Sequence, residues 1–468
     1  MMGTISDKLM RIINTKEDIR QALISKGYDV PTSIPFKEYA KMISDLPCRV
    51  DSFPDIEGIV ARYSALGLTN EQMAANPVWV DKTGNGHDLQ MKNLAWKGGS
   101  GISDIYPGAL VFDGVDDWAG CDNLPLLPKE KGYSIIALRN WITRYDATQY
   151  KRPLISNLDT NDEGAFLIEY RKDENVNDVT GSYNSFTDVY IDDNNPITWE
   201  TSSSYNGQII KKGTSKPSNK LCICKTYFSK NSRYANAAIW ELVILDHDAT
   251  EEELTKIKDY FVKTYPWLFP DQAWTVTGKT NEDEDRATIA NITGNGNDLI
   301  LSNFGFAEGS GYNEEGEYAG YLVTDGVDDK IISSIFKMGN DWTVIGDWEL
   351  INTGKNDNAG IVKFDSIVIY NYNYNSVLIN IKNGRNILIP DQNTVNAICS
   401  DGRIYSKDWK ESIYNEETES TSKNFLTIGY SGNAYTKIAF KNLAIYPTVL
   451  SREDCIKAYN YLQTLKAK

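Results

Sequence analysis

Apolar residues at the start of the chain recur with the period of an α-helix. Between residues 4 and 26 they return every three to four positions, and Gly27 suits a left-handed helix end. A second, shorter helix is predicted from about Phe36 until Pro47 ends it. The apolar stripes of the two helices consist of Ile5, Leu9, Ile12, Ile19, Leu23, Phe36, Tyr39 and Ile43.

These stripes lie on a segment that is too short to bury them by itself. A segment of roughly 45 residues rarely forms a stable core alone. We therefore predict that residues 1–49 are a helical module that attaches to another subunit or to a larger partner through the stripe residues. The alternative is a small helical cap on the neighbouring domain.

Beyond residue 54 the pattern changes to short alternating strands, and the sequence repeats itself. The paired segments are TGNGHDL at 83–89 with TGNGNDL at 293–299, GSG at 99–101 with 309–311, and DGVDD at 113–117 with 325–329. Because order, spacing and identity all agree, the repeat predicts a duplicated domain.

Both copies end in the same way, with a long apolar strand followed by a capped helix. The strands are predicted at 238–245 and 439–446, and the helices extend to about 262 and 465. Asn-Gly or Asp-Gly pairs at 206–207, 383–384 and 401–402 predict tight hairpins. These features predict two β-sandwiches, at 50–268 and 269–468, each ending in a short α-helix.

The net charge argues against some classes of partner, and the cysteine spacing argues against a metal or redox site. The chain has 64 acidic and 48 basic residues, a net charge of -16, which argues against nucleic acid or an anionic membrane as the main partner. Cys222 and Cys224 fit an alternating strand better than a metal or redox pair, so we expect free thiols. No apolar stretch approaches the roughly 20 residues of a membrane span, and no export signal is apparent.

The body of the chain resembles the laminin G-like, or concanavalin A-like, jelly-roll family. The resemblance is carried by ALVFDGVDD at 109–117 and by TVIGDW, preceded by Trp342, at 343–348. It implies a mainly β protein with two tandem concanavalin A-like β-sandwiches (jelly rolls), preceded by the small helical module.

The N-terminal segment resembles a short module of phage virion proteins. The similar stretches are 15–27 and 36–40, and the TNE and TGNG repeats resemble those of phages that infect gut Bacteroidota. Such modules precede fibre or adhesin domains. The resemblance therefore implies contacts with other virion proteins and a homo-oligomer, a trimer by analogy.

The repeated DGVDD segment is the candidate metal site. Members of the jelly-roll family often bind calcium through loop oxygens, and Ca²⁺ takes six to eight oxygen ligands. The candidate ligands are Asp113, Asp116 and Asp117 in the first copy and Asp325, Asp328 and Asp329 in the second. The alternative, which we favour, is a tight turn in which aspartate accepts backbone N–H groups.

A tyrosine and asparagine run in the second copy is the candidate glycan site. In an extended chain, Tyr370, Tyr372 and Tyr374 would share one face, and Asn371 and Asn373 the other. Aromatic faces pack on sugar C–H groups and amides bind hydroxyls. The alternative is an ordinary half-buried strand.

Motifs for catalysis are not apparent. The family's glucanases have Glu-x-Asp-x-Glu on an aromatic-rich strand, and we find no such motif. The acidic run at 282–285 is expected to be a solvated loop. His87 and His247 are replaced in the repeat by Asn297 and Thr448, and we expect both histidines in surface turns.

These patterns predict a non-enzymatic phage virion protein of fibre or decoration type. The helices would anchor it in the particle, and the sandwiches would bind a host-surface glycan or protein. Three alternatives stay open: a structural decoration without a ligand, a polysaccharide-cleaving enzyme of this fold, and a bacterial surface adhesin.

Overall fold

The computed structural model describes most of the chain beyond residue 52. The described residues are 53–127, 133–143, 151–159, 167–171, 187–189, 210–211, 218–230, 233–334, 339–351, 360–364, 367–372, 376–381, 385–389, 395–413, 426–431 and 434–467, together with Lys16, Ile19 and Arg20. Those last three residues are helical. The rest of the predicted helical module lies outside the described residues, so the module stays a prediction.

Residues 54–468 form one compact unit, and the described residues of its first half include thirteen strands and two α-helices. The strands are β1 (Ile59–Ser64), β2 (Val78–Trp79), β3 (Leu89–Lys92), β4 (Gly101–Ile102), β5 (Leu110–Asp113), β6 (Trp118–Cys121), β7 (Ser134–Thr143), β8 (Lys151–Ser156), β9 (Leu167–Arg171), β10 (Thr187–Val189), β11 (Ile210–Lys211), β12 (Leu221–Ile223) and β13 (Asn236–Leu245). The helices are α1 (Asn70–Ala75) and α2 (Glu251–Thr264), and a 3-10 turn follows at Pro266–Leu268.

The second half repeats this plan with further strands and a final helix. The strands are β14 (Gln272–Thr275), β15 (Thr288–Ile289), β16 (Leu299–Ser302), β17 (Gly311–Asn313), β18 (Tyr321–Val323), β19 (Lys330–Ser333), β20 (Thr343–Leu350), β21 (Gly360–Phe364), β22 (Ile367–Tyr372), β23 (Ser376–Ile381), β24 (Arg385–Ile389), β25 (Val395–Cys399), β26 (Arg403–Ser406), β27 (Glu411–Ile413), β28 (Leu426–Ile428), β29 (Tyr430–Ser431), β30 (Ala434–Tyr435) and β31 (Ile438–Tyr446). The helix is α3 (Arg452–Leu462).

Each half is a sandwich of two antiparallel sheets with matching strand order. In the first half, β13 pairs with β7 along one edge and with β1 and β5 along the other, while the second sheet runs β2-β3-β6-β12-β8-β9. In the second half, β31 pairs likewise with β20, β14 and β18, and the other sheet runs β15-β16-β19-β28-β21-β22-β23-β24. The shared topology confirms the predicted mainly β fold and the duplication.

A core of apolar side chains from both sheets fills each sandwich. In the first, Ile239 and Leu242 lie on either side of an irregularity in β13 and share the core with Leu89 and Ile223 of the opposite sheet, and all four are fully buried. Full burial of such a side chain contributes roughly 1.5–3 kcal/mol. The predicted hairpin at 401–402 is confirmed, since β25 pairs with β26 and Gly402 has a φ of 96°.

Helices α2 and α3 lie on the outer face of the sheets that contain β13 and β31, which we call the helix-covered sheets. Their partners are the distal sheets. A capping box between Thr250 and Glu253 starts α2, which packs on the first sandwich through Tyr260 and other buried residues. Helix α3 begins at the Ser451 cap and packs on β20 and β31 of the second sandwich.

Helix α3 also contacts the first sandwich. The Tyr461 hydroxyl accepts a hydrogen bond of 3.2 Å from the Asn140 amide on β7. Its ring packs edge-on against Trp240 and Tyr106, with centroids 6.1 and 6.4 Å away. The two sandwiches are therefore joined through their helix-covered sheets. The domain boundary predicted at 268/269 falls at the end of the 3-10 turn, between α2 and β14.

Candidate functional site

The repeated DGVDD segment forms the same hydrogen-bonded turn in both sandwiches. In the first, Asp113 Oδ1 accepts the Val115 and Asp116 N–H groups at 2.7 and 3.4 Å, and Asp117 Oδ2 accepts the Asp113 N–H at 3.0 Å. Gly114 has a φ of 78°, which suits glycine.

The second copy repeats these bonds. Asp325 Oδ1 accepts the Val327, Asp328 and Asp329 N–H groups at 2.7–3.3 Å, and Asp329 Oδ2 accepts the Asp325 N–H at 2.8 Å. The predicted acids therefore do come together, and their hydrogen bonds explain them as turn residues.

These acids fit a calcium ion only in part. Within each triad, candidate ligand atoms lie within 4.8 Å of one another. One buried oxygen, Oδ1 of Asp117 and of Asp329, accepts no hydrogen bond of normal geometry. Burial raises the pKa of Asp117 and that of Asp329, the latter to about 6, against the opposing effect of nearby serine hydroxyls. Three carboxylates fall short of six to eight oxygens, so calcium binding stays a prediction.

Other repeated residues also have structural roles. The Asn70 side-chain amide forms two hydrogen bonds with the backbone of Ile102: it accepts the N–H at 2.7 Å and donates to the carbonyl at 2.8 Å. The Asn281 amide forms the same two hydrogen bonds with the backbone of Tyr312, each 2.8 Å long. The segments that identify the duplication therefore hold loops in place.

The predicted tyrosine and asparagine run is partly described. Tyr370, Asn371 and Tyr372 lie in β22, opposite Leu378, Val377 and Ser376 of β23. Asn373 and Tyr374 lie outside the described residues. The extended conformation is confirmed for the three described residues, and a glycan site on the run stays a prediction.

A different set of aromatic and acidic residues in the second sandwich forms a better defined candidate site. We call it the Asp347 cluster; it consists of Tyr318, Tyr321, Asp347, Glu349, Trp409 and Tyr459, all half-buried. Asp347 and Glu349 alternate with core residues of β20, so both lie on the outer face of the helix-covered sheet. Tyr459 reaches the same face from α3.

Hydrogen bonds and ring contacts connect the members of the cluster. The Tyr321 hydroxyl donates to Asp347 Oδ1 at 3.2 Å, and Tyr318 packs edge-on against the Tyr321 ring at 6.4 Å. Trp409 packs edge-on against Tyr459 at 5.7 Å. Burial and, secondly, the Asp347 carboxylate raise the pKa of both Tyr321 and Tyr459, so both hydroxyls stay protonated donors at neutral pH.

Two lysines add positive charge at the edges of this cluster. The Lys407 ammonium lies 3.5 Å from Glu349, and that of Lys441 lies 5.5 Å from the Tyr321 ring centroid. Lys407 is well exposed, so its pairing is weak and exchangeable with solvent. The cluster thus combines aromatic surface with hydrogen-bond donors and acceptors.

Sequence reasoning missed this cluster because its members come from four separate elements. The alternation of Asp347, Trp348 and Glu349 in one strand is a signal that could have suggested paired outward carboxylates. Nothing in the sequence indicates that Tyr459, a helix residue, would meet them. In the first copy the positions of Asp347, Tyr321 and Tyr459 hold Leu138, Ala109 and Lys258, so the cluster belongs to the second copy.

Comparisons with known proteins give distant structural similarity. No protein-family model matches the chain, and no curated protein matches it. A Trypanosoma rangeli sialidase in complex with sialic acid aligns at 9% identity over 50% of this chain and 41% of the sialidase, with a TM-score of 0.31. The receptor binding domain of botulinum neurotoxin type G aligns at 12% identity over 41% of this chain and 50% of that domain, with a TM-score of 0.26.

The chain thus spans half or less of the length of these two structures. The fold assignment depends on strand order and register. Among the described residues, no helix has the length and apolar character that crossing a membrane requires.

Proposed function

We propose that this chain is a non-enzymatic attachment protein whose second sandwich binds a glycan through the Asp347 cluster. The observation that carries the proposal is the Tyr321–Asp347–Tyr459 arrangement, in which a carboxylate is held between two phenol groups beside Trp409. Carbohydrate sites combine aromatic surface for C–H groups with fixed acceptors and donors for hydroxyls.

The cluster has features that a purely structural surface does not require. A surface carboxylate is normally solvated, whereas Asp347 is half-buried and accepts the Tyr321 hydroxyl. A sugar hydroxyl could take the place of water on the remaining carboxylate oxygen. The aromatic rings on both sides would cover the apolar face of a pyranose.

We further propose a virion location for the protein, as a fibre or decoration component of a tailed phage. The support is the resemblance of residues 15–27 and 36–40 to phage virion modules. Attachment would use the stripe residues of the N-terminal module. Immunogold labelling of intact particles tests this part: label confined to empty host debris would overturn it.

A glycan array with purified protein tests the binding proposal. We expect selective binding that Asp347→Asn weakens by about tenfold or more, since a charge-assisted hydrogen bond contributes roughly 1.5–3 kcal/mol. Trp409→Ala should also weaken binding, because it removes ring surface that packs on sugar C–H groups. Asp104→Asn, an exposed carboxylate of the first sandwich, is the matched control. Binding that is unchanged in both cluster variants would contradict the assignment.

Two other outcomes identify the alternatives. Folded protein that binds no glycan would indicate a structural decoration. Release of reducing ends from a bound polysaccharide, abolished by Asp347→Asn or Glu349→Gln, would indicate an enzyme, because glycoside hydrolysis uses two carboxylates.

A further inference from the structure

A group of lysines and aromatic rings lies on the outer face of the distal sheet of the first sandwich. Trp118 in β6 is next to the core residue Ala119, so its side chain points to the opposite, outer face. The Lys225 ammonium lies 3.8 Å from the Trp118 ring centroid. Phe228 packs at 90° to Trp118 with centroids 5.6 Å apart, so the two rings form a corner.

The ammonium at this corner is buried without a carboxylate partner among the described residues. Lys225 is 5% exposed and donates one hydrogen bond, of 3.2 Å, to the Phe228 carbonyl. An ammonium carries three donors. Burial lowers the pKa of Lys225, which is the expected consequence of a cation held away from water. Burial of a charge that lacks an ionic partner costs stability.

The backbone that positions Lys225 is strained. Cys224 has a φ of 58°, in the left-handed region that residues with a side chain rarely adopt. By strand register, the corresponding residue of the second copy is Gly429, with a φ of 74°. Strained residues of this kind cluster at functional sites. The first copy therefore keeps a strained turn that directs Lys225 onto the ring.

Positive charge gathers around the corner although the chain as a whole is acidic. Lys92 is the cross-strand neighbour of Trp118 and is exposed. The Lys220 ammonium lies 5.1 Å from the Phe228 ring centroid and 3.8 Å from the well-exposed carboxylate of Asp122. We call Trp118, Lys220, Lys225 and Phe228 the lysine corner.

We propose that the lysine corner binds the carboxylate of an acidic sugar, so that the first sandwich recognises an acidic glycan such as a polyuronate. The more exposed Lys220 ammonium would supply a charge-assisted hydrogen bond to the carboxylate, and the buried Lys225 ammonium, 3.8 Å from the Trp118 ring centroid, adds its positive charge to the same corner. The rings cover the C–H face of the same sugar. This inference extends the proposed glycan binding to a second site and does not depend on the Asp347 cluster.

Titration calorimetry with galacturonate oligomers and with their methyl esters tests the inference on the full chain. The ester keeps the ring and removes the charge. We expect the acid form to bind and the ester to bind about tenfold more weakly or worse, since one charge-assisted bond is lost. Equal binding of the two forms, or no binding of the acid form, would overturn the inference.

Substitution of the ammonium separates a binding role from a structural one. Lys225→Met keeps the apolar stem against Trp118 and removes the charge, so we expect a raised melting temperature together with loss of galacturonate binding. Lys437→Met in the second sandwich is the matched control. Unchanged galacturonate affinity in Lys225→Met would refute the assignment, and Lys220→Gln gives a second, more exposed test that should weaken binding.

Failure here can be distinguished from failure of the proposed function. If the protein binds glycans on an array through the Asp347 cluster but galacturonate does not bind, the lysine corner alone is refuted. If galacturonate binds and Asp347→Asn has no effect on any glycan, the Asp347 cluster alone is refuted.

Discussion

At the residue scale, the two copies differ most where the first buries an ion pair. Arg62 and Glu241 lie 3.2 Å apart beneath α2, with side chains that are 5% and 0% exposed. The Tyr260 hydroxyl accepts a hydrogen bond from Arg62 at 2.7 Å, and the Tyr265 hydroxyl donates to Glu241 at 2.7 Å. These hydrogen bonds connect the ion pair to two tyrosine hydroxyls.

The second copy carries neutral residues at the same two positions. By strand register, Ala273 takes the place of Arg62 and Asn442 that of Glu241. The Asn442 side chain is fully buried, and neither of its polar atoms forms a hydrogen bond with the described residues. The second copy thus tolerates an unsatisfied amide where the first has an ion pair.

Breaking the ion pair is expected to cost more than removing it. Arg62→Ala should lower the free energy of unfolding by about 3–5 kcal/mol, because it leaves Glu241 buried and uncompensated. The double variant Arg62→Ala with Glu241→Asn, which copies the second sandwich, should lose less than the sum of the two single variants. Denaturant unfolding of the four proteins measures this, and simple additivity would contradict it.

His247 is expected to make stability depend on pH. Burial opposes its charging, but hydrogen bonds to Asp246 and Glu253, 3.1 and 3.0 Å long, outweigh burial and raise its pKa. A raised folded pKa stabilises the fold fully below the unfolded value near 6.5, and the gain is lost as pH rises through the folded value.

Unfolding midpoints measured from pH 5.5 to 8.5 test this dependence. The decline with rising pH should be smaller in His247→Gln than in the wild type. Thr255→Ala, a substitution of an exposed residue of α2 that does not titrate in this range, is the control and should keep the wild-type slope. Parallel curves for all three proteins would refute the assignment.

Single residues also show where sequence patterns stop being informative. The prediction of free thiols is confirmed for the five described cysteines, all buried. The alternating strand predicted for Cys222 and Cys224 is confirmed only through Ile223, since β12 ends there and Cys224 has a positive φ. Polarity patterns carry no signal for a left-handed residue that is not glycine.

At the element scale, the DGVDD turn is expected to depend on its first aspartate. Asp325→Ala removes the acceptor of three backbone N–H groups, so we expect a loss of about 1–3 kcal/mol in unfolding free energy. Because Asp325 Oδ1 already accepts three N–H groups, we favour a turn over a metal site and expect calcium to leave the wild-type melting temperature unchanged.

Calorimetric scans with EDTA and with calcium chloride in excess measure the second expectation. A calcium-dependent rise in melting temperature that Asp325→Ala abolishes would establish a metal site instead. Asp104→Asn serves as the control for nonspecific effects of the divalent ion on an acidic protein.

Local turn chemistry predicted two hairpins correctly, and the third, predicted at 206–207, lies outside the described residues. The strands that flank Asp401-Gly402 pair as predicted, and those around Asn383-Gly384 pair as β23 and β24. Strand β14, which shows little alternation, could be located only by its register with β31, because all four of its residues are buried. A strand without a solvent-facing side lacks the period that identifies it.

At the scale of the whole molecule, the two sandwiches share a helix. Tyr461 in α3 and Tyr260 in α2 each lie ten residues after the helix cap, at 451 and 250. Tyr260 bonds within its own sandwich, whereas Tyr461 contacts Asn140 and Trp240 of the other one. The same residue at the same helix position thus has different partners, which sequence comparison of the copies could not predict.

Removing the shared side chain should uncouple the two sandwiches. Tyr461→Ala is expected to cost about 3–5 kcal/mol, as for other large aromatic truncations, and to split a single calorimetric unfolding transition into two. Tyr459→Ala, on the same helix but in the Asp347 cluster, should keep one transition and weaken glycan binding. A single transition in both variants would show that other contacts carry the coupling.

Because α3 fixes one sandwich against the other, the lysine corner and the Asp347 cluster lie at a set distance. A polysaccharide long enough to reach both would be held by avidity, since the second contact forms at an effective concentration in the millimolar range. Oligosaccharides shorter than that span would occupy one contact and leave quickly. The protein would then select for chain length, holding intact surface polymers while ignoring shed fragments of the same composition.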